Sequence, residues 1–205
     1  DVVCTSWEDC DAMGVISKPR PIEERLLPVS QFYSALAFEK RLVHTNTIAF
    51  SRDLFARAGG FPEGRYLRGG DVATWIKLAY VSGFVRCTTL ETAVYHKEDS
   101  TVTKQIPPAI KGNAVFDMCN EIKNKANVSP GMKRALKELS NRHIRYGLVY
   151  KVKFGRLHVS DLEYFRFSVS PFDYSLFLAL SLLPSIPVRL FVKFSLSLKR
   201  LFQRK

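Results

Sequence analysis

One short stretch constrains the fold more than any other. Between Gly69-Gly70 and Gly83 a stripe of apolar residues runs Val72, Trp75, Ile76, Ala79 and Tyr80. This is the i, i+3, i+4, i+7, i+8 spacing of a helix that is apolar on one side, and such a helix needs a sheet to lie on. Gly83 marks its end. Extended runs flank it. Residues 42–50 contain Val43, Thr45, Thr47 and Ile48, which favour a strand, and residues 84–88 and 92–95 read as two more extended runs. Strand and helix alternate, so the first hundred residues are expected to form an α/β domain.

Other local signals fill in the outline. Residues 2–5 read as a short strand, Glu8 to Gly14 as a polar turn, and Val15-Ile16 as a resumed extended run. Pro19, Pro21 and Pro28 predict an irregular surface stretch with one short helix. Ser51 has the character of an N-cap, with Asp53 in the first turn and Gly59-Gly60 as the stop. After Pro107-Pro108 the character changes, and residues 109–125 and 131–150 read as helices. In the second, Met132, Leu136, Leu139, His143, Tyr146 and Tyr150 share a face, so His143 is expected to be a packed core histidine.

The charge narrows the partners. Lys and Arg exceed Asp and Glu by 31 to 19, a formal net charge of +12, which implies an anionic partner. From Arg189 to the last residue there are six basic side chains and no acid. Beyond Pro187, Leu190, Phe194, Leu198 and Leu201 fall on one helical face, and Arg189, Lys193, Arg200 and Arg204 on another. That pattern suits a helix lying in an anionic membrane interface. The alternative is a helix packed on the protein's own domain. The apolar run from Leu176 to Leu183 is broken by Pro184 and Pro187 and is too short to span a bilayer. No helix-turn-helix, zinc-finger or RNA-binding signature is present, so nucleic acid is not expected as a partner. Cys4, Cys10, Cys87 and Cys119 lack C-x-x-C spacing and read as buried or partly buried free thiols. The first residues show no basic start or apolar leader. The start at Asp1 raises the expectation of a fragment of a longer chain.

An ordered series carries a resemblance. It runs His44-Thr45-Asn46-Thr47-Ile48-Ala49-Phe50-Ser51, then Ala58-Gly59-Gly60-Phe61, then Gly69-Gly70-Asp71-Val72-Ala73-Thr74-Trp75, then Ala93-Val94-Tyr95-His96 and Ser100. It resembles the second half of the GT-A domain in family 2 glycosyltransferases, over about residues 1–106. The resemblance implies a partial GT-A, Rossmann-like α/β domain. A helical extension at 107–170 and a basic membrane-interface tail at 171–205 follow it. It further implies that Asp71 is the catalytic base and that Gly59, Gly60, Phe61, Gly69, Gly70 and Trp75 bind substrate. His96 would lie near the donor diphosphate and its Mn²⁺ or Mg²⁺. Departures are plain: Gly70 stands where the family has Glu, Thr74 where it has Leu, and Tyr95 where it has Arg. The nucleotide-binding half of such an enzyme is not recognisable in the sequence. Asp9-Cys10-Asp11 spells Asp-x-Asp, yet it leads into Gly14 and resembles the hairpin that follows the metal motif.

The implied chemistry is inverting transfer of a sugar from a nucleotide-sugar donor to a glycan or lipid-linked acceptor in surface-polysaccharide assembly. Such an enzyme is expected in the cytoplasm, peripheral to the inner face of the cell membrane. Displacement at the anomeric carbon needs a base for the acceptor hydroxyl and positive charge for the leaving diphosphate. Asp71 suits the first need, because a helix N-terminus favours a carboxylate. Local sequence alone allows a plain first-turn acid there, core packing for Trp75 and a surface loop for His96. The alternative function is a truncated, non-catalytic membrane-associated interaction module. A half-sheet lacking partner strands would also expose an edge and favour homo-oligomers.

Overall fold

The computed structural model describes residues 1–11, 13–17, 23–39, 42–96, 107–154 and 157–183. Its centre is a pair of long parallel strands. Strand β1 (Val2–Cys10) lies beside β5 (Phe84–His96). On its other edge β1 carries two short antiparallel strands, β4 (Ile48–Phe50) at its start and β2 (Ile16–Ser17) at its end. Strand β3 (Arg25–Pro28) closes the far side of β5, also antiparallel. The fold is mixed α/β with a mixed five-stranded sheet.

Strand β1 runs past Thr5 to Cys10, where the sequence suggested a turn from Glu8. Ser6 and Asp9 are buried in it, and pairing with β5, joined at Asp9 by β2, overrides their weak strand preference. The turn comes later and is tight. Asp11 accepts the amides of Met13 and Val15 on Oδ1, both at 2.9 Å, and Gly14 takes φ +77°. The Asp-x-Asp spelling therefore belongs to a hairpin, with Asp11 serving the turn. Strand β5 is continuous where two runs were expected. The break survives as a bulge: Cys4 pairs with Cys87 but Ser6 with Glu91 and Trp7 with Ala93, so β5 carries extra residues that curl the sheet.

Helix α1 (Val29–Phe38) follows Pro28 directly and buries Phe32 and Tyr33 completely. The Tyr33 hydroxyl donates to the Ile76 carbonyl at 2.9 Å, tying α1 to the central helix. Residues 42–47 are not a strand. His44 caps a 3₁₀ turn at Thr45–Thr47 in a reciprocal bond with Thr47, and only Ile48–Phe50 pairs with the sheet. Ser51 caps α2 (Arg52–Arg57) through the Leu54 amide, as its sequence suggested.

Helix α3 (Gly70–Ser82) forms where the stripe placed it and stops at Gly83, φ +81°. It is buried on more sides than a one-faced helix. Leu78 and Thr74 are fully enclosed, because α3 packs on the sheet, α1, α2 and α4 (Ala114–Lys123). Each large apolar side chain so buried contributes roughly 2 kcal/mol.

Helix α5 (Pro130–Phe154) joins two cores. Ala135, Leu136 and Leu139 complete the core around the sheet. Ile144, Leu148 and Val152 enter a second core with a 3₁₀ segment (Val159–Tyr164) and α6 (Pro171–Leu182), which contributes Phe177. The core around the sheet draws on α4 and α5, beyond residue 107, as well as on the sheet itself. All four cysteines are buried and free. Among the described residues no helix is long and apolar enough to cross a membrane. The basic amphipathic pattern beyond Pro187 and Ser100 lie outside the described residues.

Candidate functional site

A cavity of about 900 Å³ opens between the start of α3, the 66–70 segment, the 3₁₀ turn at Thr45 and the C-terminal half of α5. This size suits a small organic ligand. Its walls are mainly apolar and aromatic, with polar groups among them that include Asp71, Arg68, Thr45, His143 and Lys153.

Asp71 stands in the first turn of α3, partly buried at the cavity wall. The Thr45 hydroxyl donates to its Oδ2 at 2.8 Å, and the Val72 amide to its Oδ1 at 2.8 Å. Each oxygen thus keeps accepting capacity for a ligand. The carboxylate is held from two elements, the helix and the 3₁₀ turn, so its orientation is fixed.

The two glycines before it have separate reasons. Gly69 is the N-cap in the left-handed region, φ +81°, which a side chain would strain. At Gly70 a Cβ would sit 3.4 Å from Pro62 Cγ, so the backbone packs directly on the proline. Both glycines border the cavity, as does Trp75, which is otherwise buried in the α3 interface.

Other parts of the frame are held as firmly. Tyr66 donates to Asp117 Oδ2 at 3.0 Å, fastening the 66–70 segment to α4. Burial, then Asp117, pushes the Tyr66 phenol up to about 12. Asn113 caps α4 through the Val115 and Phe116 amides and donates to the Ala109 carbonyl at 2.8 Å. At the sheet end, His44 lies between Trp7 and Tyr95, with ring centroids 5.5 and 4.5 Å away.

Asp71, Gly69, Gly70 and Trp75 therefore meet at one cavity. Gly59, Gly60 and Phe61 do not border it. Phe61 packs edge-on against Phe55 at 5.2 Å, which in turn stacks on Phe50. His96 also lies away from it, exposed at the end of β5 opposite Cys10. Among the described residues no three His, Cys, Asp or Glu side chains are grouped so that they could hold a metal ion.

Three cavity residues escaped the sequence reading. Thr45 was placed on a strand, and nothing local marks it as the partner of Asp71. Tyr146 and His143 were assigned to the core stripe of α5. In the structure Leu136 and Leu139 are buried as expected, but beyond them the buried line shifts to Ile144 and Leu148. That rotation turns Tyr146 outward and brings partly buried His143 to the cavity. Burial first, then Arg142, holds the imidazole well down, at about 4; Asp71 pulls it up and Arg68 pushes it further down.

Comparison with family models, curated proteins and solved structures found no match.

Proposed function

We propose that the cavity is the acceptor site of an inverting, sugar-nucleotide-dependent glycosyltransferase of GT-A type, with Asp71 as general base. One observation carries the reading. A carboxylate fixed by Thr45 and the Val72 amide faces a largely apolar cavity of ligand size.

The chemistry follows from that placement. An acceptor hydroxyl within reach of Asp71 attacks the anomeric carbon of the donor. The new glycosidic C–O bond forms as the bond to the diphosphate breaks, and the hydroxyl proton passes to Asp71. Because a helix N-terminus favours the anionic carboxylate, the proton moves late, once the attacking oxygen has gained positive character. Trp75 and Tyr146 offer apolar faces to a sugar ring. The nucleotide-binding half and the metal lie outside this reading of the described residues. Transfer is therefore expected where such a half is joined to this chain.

A second reading is a non-catalytic membrane-associated module. The specific observation for it is the surface of α6 and the segment before it, where Phe167, Phe172 and Leu182 are largely exposed. A peripheral site on the inner face of the cell membrane accommodates both readings.

The test is release of nucleoside diphosphate from a panel of nucleotide sugars with Mn²⁺ and neutral glycan acceptors, using the full-length protein. Acceptor-dependent release supports transfer. Well-folded protein with no release from any donor, together with binding to anionic liposomes, favours the second reading.

A further inference from the structure

The cavity has a side chamber. A smaller void of about 280 Å³ lies between the end of α1, residues 42–43 and α5. Val43, Val72, Trp75, His143 and Tyr146 border both spaces. They form the partition between them. His143 alone among the five carries two ring nitrogens able to bond separately, one donating and one accepting. Its ring stands nearly perpendicular to that of Tyr146, at 79° and 6.2 Å between centroids.

We propose that His143 is an acceptor-binding residue, and that its ligand is an uncharged, hydroxyl-bearing sugar ring seated at this partition against Trp75 and Tyr146. The inference rests on the reading of the cavity as an acceptor site and deepens it. Three features favour this ligand class. The partition is built of aromatic and aliphatic side chains, which suit the C–H face of a pyranose. Arg142 and Arg68 outnumber Asp71 around the imidazole, which disfavours a cationic ring. Burial and the two arginines keep the imidazole uncharged at neutral pH. An uncharged imidazole gives one N–H and one lone pair, the complement of a sugar hydroxyl, and offers an anion no counter-charge.

The experiment is histidine ring NMR on the full chain, whose four histidines are resolved with the His143→Gln variant. Maltose, lactose and diacetylchitobiose are added singly at millimolar concentration, with glucose 1-phosphate as the charged probe. The expected result is a saturable shift of the His143 signals with at least one neutral disaccharide. His143→Leu should weaken that affinity about tenfold, while His143→Gln, which keeps a donor and an acceptor, stays within about threefold. Absence of any shift with the three neutral sugars overturns the proposal. So does equal affinity in His143→Leu, or a stronger response to glucose 1-phosphate. The two readings fail separately. Transfer that persists in Asp71→Asn, with the His143 shift intact, sinks the base and leaves the sugar contact. Transfer with an unchanged acceptor KM in His143→Leu sinks the sugar contact alone.

Discussion

The two walls of the cavity come from differently built regions. The α3 wall belongs to the core around the sheet, where α1, α3 and β5 enclose Phe32, Tyr33, Ile76 and Val85 completely. Its functional group is fixed by two hydrogen bonds. The α5 wall belongs to the smaller core, whose surroundings leave Tyr150, Phe154, Phe167 and Phe172 exposed. The difference separates two tasks. A hydrogen-bonded wall sets the direction of a reacting group, and an aromatic wall accepts the shape of a ligand.

Truncation should distinguish the two cores most strongly. Leu136 and Leu148 are both fully enclosed, one in each. Leu136→Ala is expected to cost about 3 kcal/mol, and Leu148→Ala about 2 kcal/mol, because the looser core collapses more readily onto the gap. Urea unfolding checks this. Equal losses would show one core where two are described.

Acidification is expected to act through the α5 wall. The folded imidazole of His143 is held at about 4, below the 6.5 of an ordinary histidine. The unfolded chain therefore binds the proton first as pH falls. Stability present above 6.5 is lost between 6.5 and 4 and levels off below, with a total of about 3 kcal/mol. Denaturation of the wild type and His143→Gln at both ends of that window measures it. The variant should lack this part of the loss.

Gly147 tests the seam itself. A Cβ there would meet Ile110 Cγ1 at 2.7 Å and the Ala109 and Pro108 carbonyl oxygens at 3.2 and 3.3 Å. Gly147→Ala gains helix propensity but pushes α5 off a backbone that gives little. A net loss of about 1 kcal/mol is expected in thermal unfolding, and a gain in stability would mean the 108–110 segment yields. The smallest effect should come from Thr45→Val. It removes one hydrogen bond at a partly exposed carboxylate and should cost about 0.5 kcal/mol in stability, while slowing any transfer about tenfold. An unchanged rate would show that the Val72 amide alone orients Asp71.

What the sequence revealed divides along the same line. The α3 stripe, its glycine stop and the Ser51 cap are local patterns, and each is found in place, while the turn expected over Glu8 to Gly14 narrows to Asp11 to Gly14. The length of β1, the continuity of β5 and the 3₁₀ turn at Thr45 depend on strands and caps distant in sequence. So does the face α5 turns inward, because a helix that joins two cores has apolar residues on more than one side. Asp71 and Trp75 were legible as a pair on one helix. Their meeting with Thr45 and His143 needs the tertiary fold. Gly59, Gly60, Phe61 and His96 were grouped with them by resemblance alone, and the fold sets them elsewhere.

The most direct test of the base is sugar transfer by the full-length protein and its Asp71→Asn variant, measured alongside neutral-sugar binding. Asparagine keeps the shape and can still accept from Thr45, but it cannot take the proton. The expected result is transfer reduced about a thousandfold with sugar affinity unchanged. Transfer at the wild-type rate in Asp71→Asn would contradict the assignment of the base.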